Sequence, residues 1–65
     1  MTRELKGFLA KFDITYHNLA KELDVSTGTI CNKMKNDSFT QCDINKLLKY
    51  FARYDNSVTS SIFFD

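Results

Sequence analysis

The sequence predicts an all-α fold, a compact bundle of four to five helices. Composition is the first observation: the 65 residues include no proline and two glycines, and 43% are hydrophobic, which is typical of a folded globule rather than a disordered tail. The second observation is a helix-start pattern that occurs four times, and the third is apolar periodicity at helical spacing. A chain of this length has room for a single domain, over residues 1–65.

The recurring pattern is that of a helix N-terminus. An apolar residue is followed by Thr or Ser, then by three further residues and a second apolar residue. The hydroxyl at this N-cap position accepts an otherwise unpaired backbone N–H, and the two apolar residues, five apart, close as a hydrophobic staple. The four occurrences are ITYHNL at 14–19, VSTGTI at 25–30, FTQCDI at 39–44 and VTSSIF at 58–63.

Apolar residues recur at helical spacing in the segments around these starts. The predicted helices span about residues 2–12, 16–23, 27–35 and 41–54, with a last turn near 60–64. Their predicted inward-facing residues are, in chain order, Leu5, Phe8, Leu9 and Phe12; Leu19, Ala20 and Leu23; Ile30 and Met34; Ile44, Leu47, Leu48 and Phe51; Ile62 and Phe63.

The third segment has an unusual composition for a helix. It contains a glycine and two threonines, which are poor helix formers, so it depends on its caps and on packing. Its outward side chains are mostly short polar groups, with few long charged stems. Such a face suits close approach to a polar partner surface, and a merely solvated helix face is the alternative. The outward residues are Thr27, Gly28, Thr29, Asn32 and Lys33.

Charge and apolar content restrict the class of protein. The net charge of +1 is weak evidence against strong non-specific binding to nucleic acid, which needs a basic face. Apolar runs are short, and the N-terminus lacks the apolar region of a signal peptide, so we expect a cytoplasmic protein with no membrane partner.

Cysteine and histidine are too few for a typical metal site. Cys31, Cys42 and His17 are three candidate ligands, whereas a structural zinc site usually needs four. We expect two reduced thiols, no metal and no small-molecule cofactor. A Cys–His nucleophile pair would lack an orienting partner and an oxyanion motif, so no enzyme and no catalytic residue is predicted.

Residues 14–34, ITYHNLAKELDVSTGTICNKM, resemble the helix-turn-helix of the Cro/phage-repressor superfamily. In that motif a small residue, a turn four residues later and a branched apolar residue six beyond it set the helix crossing; here these are Ala20, Asp24 and Ile30. Ala20 lets the helices touch, Val25 fills the corner and Ile30 locks the second helix onto the core. Asp24 stands where glycine is usual, and it tolerates a left-handed backbone better than most residues. Lys33 stands at a usually apolar position, and we expect it to face solvent or DNA.

Two further segments resemble small helix-turn-helix regulators from phages of Gram-positive bacteria. They are NKMKNDSFTQCDINKLLKYF at 32–51 and SIFFD at 61–65, and the resemblance covers roughly residues 8–65. Members mostly bind operator DNA as dimers and regulate transcription. The resemblance thus implies a lambda-repressor-like fold in a bacterial cytoplasm, with a double-stranded DNA operator as partner. The alternative is a helix-turn-helix-derived module that sequesters another regulator without binding DNA, which the near-neutral charge and Gly28 favour.

The resemblance also implies contact residues. The N-terminal turn of the third helix would enter the major groove, where Asn32 suits adenine and Lys33 suits guanine or phosphate. Gly28 lies among the base-contact positions although it has no side chain to read with. For Tyr16 the alternative is a half-buried surface aromatic, and for Thr40 a simple N-cap. The implied base contacts are Thr27, Gly28, Thr29, Asn32 and Lys33, and the implied phosphate contacts are Tyr16, Ser26, Lys35, Asn36, Ser38 and Thr40.

The C-terminal segment SVTSSIFFD is too apolar for a free tail. The pair Val58 and Phe63 favours a short helix, with Ile62 and Phe63 turned into the bundle and Phe64 pointing outward. We predict that Ile62, Phe63 and Phe64 contribute to a homodimer, because an exposed apolar patch usually marks an interface. One alternative is a strand that pairs across a dimer. The other is a monomer in which the three residues cap the core.

Overall fold

Four helices of this chain begin directly after the predicted N-caps. The computed structural model describes residues 3–64. Over that range it contains α1 (Arg3–Lys11), α2 (Tyr16–Leu23), α3 (Thr27–Asn36), α4 (Gln41–Phe51) and a short 3₁₀ helix (Ser60–Phe63). The all-α prediction is confirmed, with four α-helices and one 3₁₀ turn. The predicted start of the first helix near residue 2 lies outside the described residues.

Each predicted N-cap hydroxyl accepts a backbone N–H from the first turn of its helix. In α2 and α4 the contact is reciprocal: Asn18 Oδ1 accepts the Thr15 N–H at 2.9 Å, and Asp43 Oδ2 accepts the Thr40 N–H at 3.1 Å. These are capping boxes, which satisfy two unpaired donors at once. The four cap contacts are Asn18 N to Thr15 Oγ1 at 3.2 Å, Thr29 N to Ser26 Oγ at 3.1 Å, Asp43 N to Thr40 Oγ1 at 3.1 Å and Ser61 N to Thr59 Oγ1 at 3.4 Å.

An aspartate in the left-handed conformation follows each of the first three helices. The φ angles are 58° at Asp13, 58° at Asp24 and 57° at Asp37. Asp tolerates this region better than most side chains, and at Asp24 the sequence predicts it. The backbone N–H of Asp24 donates to the carbonyls of Ala20 and Lys21, which closes the end of α2. The same residue type thus turns the chain at three successive corners.

The C-terminal part differs from the prediction in one way. α4 ends at Phe51 rather than near residue 54, because the following N–H groups of Arg53 and Tyr54 donate three residues back and tighten the chain into turns. The last element is a short helix, as predicted, of the 3₁₀ type and not the alternative strand. There the hydroxyls of Thr59 and Ser61 lie 2.8 Å apart, and such local side-chain contacts compete with regular secondary structure.

The core forms where α2 packs against both α3 and α4, while the 3₁₀ helix packs against α1 and α4. Ile30 is fully buried, as predicted. Val25 is 37% exposed, so the expectation that it fills the corner between α2 and α3 is wrong; the backbone hydrogen bond from Val25 N to Ala20 O closes that corner instead. The buried apolar residues are Leu5, Leu9, Ile14, Leu19, Ala20, Leu23, Ile30, Met34, Ile44, Leu47, Phe51 and Phe63.

Aromatic rings join the C-terminal segment to the rest of the molecule. Phe51 lies 4.8 Å from Phe8 and 6.4 Å from Phe63, measured between ring centroids. Phe63 also contacts Phe39 edge-on at 5.5 Å. Phe63 is buried and Ile62 half-buried, whereas Phe64 is 67% exposed. The predicted orientation of all three residues is therefore confirmed.

Candidate nucleic-acid interface

α3 presents one broad exposed face. It packs on α2 through its buried residues Ile30 and Met34, so the opposite side of the helix faces solvent. Gly28, Asn32 and Asn36 are exposed and lie four residues apart, which places them in one row along that side. Lys35 is exposed beside them, and α3 contains no acidic residue. The face therefore consists of short polar groups and one exposed cation.

The first turn of α3 is partly engaged in its own cap. Ser26 Oγ accepts the Thr29 N–H and lies 3.0 Å from Thr29 Oγ1. Thr29 is half-buried, whereas Thr27 and Gly28 are exposed. Of the predicted base-contact residues, Thr27, Gly28 and Asn32 are thus accessible, while the Thr29 hydroxyl is held against Ser26.

Lys33 does not face solvent as expected. Its Nζ lies 2.8 Å from Asp43 Oδ2 in the first turn of α4, and the two side chains are 19% and 18% exposed. The helix start of α4 attracts a carboxylate, and that carboxylate in turn draws the Lys33 ammonium away from the outer face of α3. This is a correction to the expected position of Lys33, whose charge is neutralised within the fold.

The predicted phosphate contacts divide in the same way. Lys35, Asn36 and Ser38 are exposed at the C-terminal end of α3. Thr40 uses both its hydroxyl and its backbone N–H in the capping box with Asp43, so the N-cap alternative describes its role in this structure. A carboxylate occupies the start of α4, the position that an anion would take.

The Lys33–Asp43 pair makes a testable prediction. Burial alone would raise the pKa of Asp43, but hydrogen bonds from Lys33 and Thr40, with the Lys33 charge, hold it below its ordinary value of 3.8. Because the folded pKa is lowered, this carboxylate stabilises the fold above pH ~4, and the contribution is lost as the pH falls through the folded value. We expect Lys33→Met to raise the Asp43 pKa, measured by carboxyl NMR titration, and Lys35→Met to leave it unchanged. Equal values in both variants would contradict the pairing.

Two surface depressions border α3 and contain two lysines, Lys6 and Lys21, that the sequence did not indicate as contacts. One is lined by Lys6, Tyr16, Cys31, Met34 and Lys35. Tyr16 is half-buried there and packs against the core, which fits the alternative made for it and also places its ring beside the two lysines. Lys6 belongs to α1, so no local sequence pattern indicates that it lines the same depression as Lys35 of α3.

The second depression lies at the start of α3. His17 and Lys21, four residues apart on α2, share it with Asp24, Ser26 and Thr27. The spacing of His17 and Lys21 on one helix face was a readable signal that these two residues lie together. Asp24 is the acidic residue of this depression, and Lys21 lies in the same hollow.

Glu22 lies on another side of α2. A hydrogen bond with Tyr54, burial and the negative charges of Tyr54 and Glu22 raise the pKa of Tyr50 to about 12. The charge of Glu22 therefore acts on Tyr50, in the C-terminal half of α4.

The remaining features concern cysteines, metal ligands and membrane-spanning helices. Cys31 and Cys42 are exposed free thiols. Within residues 3–64, no group of three or more His, Cys, Asp or Glu side chains is placed to hold a metal ion. Over the same range, no helix has the length and apolar character needed to cross a membrane.

No protein-family model matches this chain, and no curated protein or solved structure matches it significantly.

Proposed function

We propose that this chain binds double-stranded DNA through the exposed face of α3 and regulates transcription, as its resemblance to helix-turn-helix regulators implies. The observation that carries the proposal is the exposed row of Gly28, Asn32 and Asn36, with Lys35 beside it, on a helix without acidic residues. An α-helix fits the major groove of B-DNA, where short side chains permit close approach and Asn can pair with adenine.

The connection between α2 and α3 supports the same proposal. Ala20 is 4% exposed at the packed side of α2, and Asp24 turns the chain with a left-handed backbone before Ser26 caps α3. A sharp turn between two packed helices supports the proposal of a helix-turn-helix. In such a motif the first helix crosses the phosphate backbone while the second lies in the groove.

The two depressions along α3 suit phosphate contacts. Lys6 and Lys35 line one depression with Tyr16, and Lys21 lines the other with His17 at the start of α3. Lysines near the two ends of a groove-binding helix would meet phosphates that border the groove. The small number of lysines agrees with the net charge of +1. With few phosphate contacts, non-specific attraction to DNA is weak, and base contacts must supply more of the affinity. Regulation would then act by occlusion or recruitment at a promoter, without chemistry on the DNA.

A protein-binding module remains the second candidate function. The observation that favours it is the Lys33–Asp43 pair, which removes one of the two lysines of α3 from the outer face. A regulator-sequestering module would need no positive surface, and its binding would depend little on salt. DNA binding, by contrast, weakens steeply as the salt concentration rises, because the counterions that binding releases from DNA then gain less entropy.

The proposal is tested by DNA binding with two substitutions in α3. We expect Asn32→Ala to cost roughly 1–3 kcal/mol on specific DNA, such as the sequence flanking the chain's own gene, and little on random DNA. Lys35→Ala should weaken both alike and reduce the salt slope by about one unit. Asn45→Ala and Lys46→Ala, at exposed positions of α4, are matched controls. They should change neither the affinity for specific or random DNA nor the salt slope. Equal losses of affinity for Asn32→Ala and Lys35→Ala on both DNAs would contradict the roles proposed for these two residues. Failure of the wild type to bind any DNA would contradict the proposed function.

The two glycines provide a second test of close approach. Both are exposed in helices: a Cβ at Gly7 would meet nothing within 4 Å, and one at Gly28 only Ser26 Oγ at 3.8 Å. The fold therefore requires neither glycine, and alanine at either should stabilise the helix by up to about 1 kcal/mol. We expect Gly28→Ala nevertheless to weaken DNA binding about tenfold, or ~1.4 kcal/mol, because the methyl group would separate α3 from the groove. Gly7→Ala is the control, and unchanged binding by Gly28→Ala would exclude close contact there.

A further inference from the structure

Val25 is an exposed aliphatic residue just before the proposed DNA-binding helix. Its side chain is 37% exposed, and the other exposed large apolar side chains within residues 3–64 are the aromatic rings of Tyr54 and Phe64. A backbone hydrogen bond from Val25 N to Ala20 O closes the corner that the valine side chain was expected to fill, so much of that side chain is accessible to a partner. A single exposed valine is common on protein surfaces, and its surroundings therefore decide its role.

The backbone on both sides holds Val25 in place. Before it, Asp24 has a left-handed backbone with a φ of 58° and closes the end of α2. After it, Ser26 caps α3, with its Oγ accepting the Thr29 N–H at 3.1 Å. The valine side chain is branched at Cβ, which restricts its χ1 angle as well. A side chain fixed in this way loses little conformational entropy when it makes a contact.

The surroundings of Val25 form a hollow with an apolar lining. Ala20, Val25 and Thr27 all line the depression at the start of α3, and each of these side chains carries at least one methyl group. Lys21 and Asp24 line it too, and their charges are opposite. The hollow as a whole therefore has no strong charge, and its apolar lining decides which group it takes up.

We infer that this lining receives the 5-methyl group of a thymine, so that Val25 helps to select the DNA sequence; the inference rests on the proposed function. The thymine methyl group is the apolar feature that a base pair presents in the major groove, where methyl-bearing side chains contact it. The hollow lies at the N-terminal turn of α3, the part of a helix-turn-helix that leads into the groove. Lys21, whose side chain is longer, would meet a phosphate outside the hollow.

The preferred base is found by selecting bound duplexes from a randomised DNA library. We expect sites selected by the wild type to have thymine at one position that Val25→Ser no longer selects, while the position read by Asn32 keeps its preference. Tyr54→Ser is the matched control, because it also removes an exposed apolar side chain but lies outside the hollow; it should select the same site as the wild type. Circular dichroism melting checks that both variants remain folded.

Deoxyuridine in place of that thymidine tests the methyl group itself, because the two bases differ only by this group. In the wild type we expect the dissociation constant to rise about fourfold, the effect of one methyl group no longer buried. The same replacement at thymines outside the hollow should leave the affinity unchanged. Val25→Ser should bind the thymine and uracil duplexes equally well. A substitution that only disturbed the fold would weaken binding to both duplexes and leave the fourfold ratio intact.

The outcomes separate this inference from the proposed function. If the wild type binds duplexes but selects no thymine that depends on Val25, the inference is wrong and the DNA-binding proposal stands on Asn32. Equal affinity of the wild type for the thymine and uracil duplexes would also exclude a methyl contact, and a fourfold ratio that persists in Val25→Ser would assign the contact to another residue. If the wild type binds no duplex, the proposed function fails, and this inference fails with it.

Discussion

Replacing Phe51 with alanine is expected to unfold the chain. The Phe51 side chain is fully buried, and its ring contacts those of Phe8, Tyr50 and Phe63 at 4.8, 5.8 and 6.4 Å. It therefore joins α1, α4 and the 3₁₀ helix at one point. A buried Phe→Ala change costs about 3–5 kcal/mol, whereas a domain of this length has a total stability of about 3–10 kcal/mol. The expected loss is therefore comparable with the total free energy of unfolding.

Urea and thermal unfolding followed by circular dichroism measure this effect. Phe64→Ala is the matched control, since it removes the same side chain from a position that is 67% exposed; we expect its unfolding free energy to stay within about 0.5 kcal/mol of the wild type. A Phe51→Ala variant that melts within a few degrees of the wild type would show that the aromatic rings do not hold the 3₁₀ helix to the core.

Ile30→Ala should have the second largest effect, about 2–5 kcal/mol. Ile30 is fully buried and Met34 nearly so, and these two residues are the buried part of α3. α3 is poor in helix-forming residues and packs mainly on α2. Removing the Ile30 side chain therefore takes away most of the packing that stabilises α3 as a helix. We expect α3 to lose its helical structure even where part of the bundle persists.

Hydrogen exchange on the α3 amides, measured with urea unfolding, separates local loss of α3 from global unfolding. Val25→Ala is the control, because Val25 is also an aliphatic residue of the same stretch but is 37% exposed. The control should lower the unfolding free energy by less than about 1 kcal/mol. If Ile30→Ala and Val25→Ala melt at the same temperature, the packing of α3 on α2 is wrong.

Helix starts and buried faces were predictable because both depend on residues a few positions apart in the sequence. The hydroxyls of Thr15, Ser26 and Thr40 each meet a backbone N–H three residues on, a distance that sequence spacing alone specifies. Burial of Ile30 and Phe51 follows from helical periodicity. Helix ends were harder to predict. The chain turns at Asp13 and Asp37 with a left-handed backbone, but aspartate is also common in many other conformations, so its presence alone does not mark a helix end.

The candidate interface was only partly predictable, because its remaining features depend on contacts between elements. Exposure of Gly28 and Asn32 follows from the position of Ile30 on the same helix. The withdrawal of Lys33 depends on Asp43, ten residues away on α4, and Lys6 of α1 lines the same depression as Tyr16 of α2. Such neighbours are set by how the helices pack, which periodicity within one helix does not specify.

The capping contacts have a consequence for how fast the chain folds. The N-caps of α2, α3 and α4 each join residues three positions apart, so they form without closing a long loop. Domains dominated by local contacts fold in microseconds to milliseconds. The sequence contains no proline, so the isomerisation that takes tens of seconds in many chains does not arise at prolyl bonds. These three helices can therefore start at their own caps before the core assembles, and refolding is expected to lack a slow proline phase.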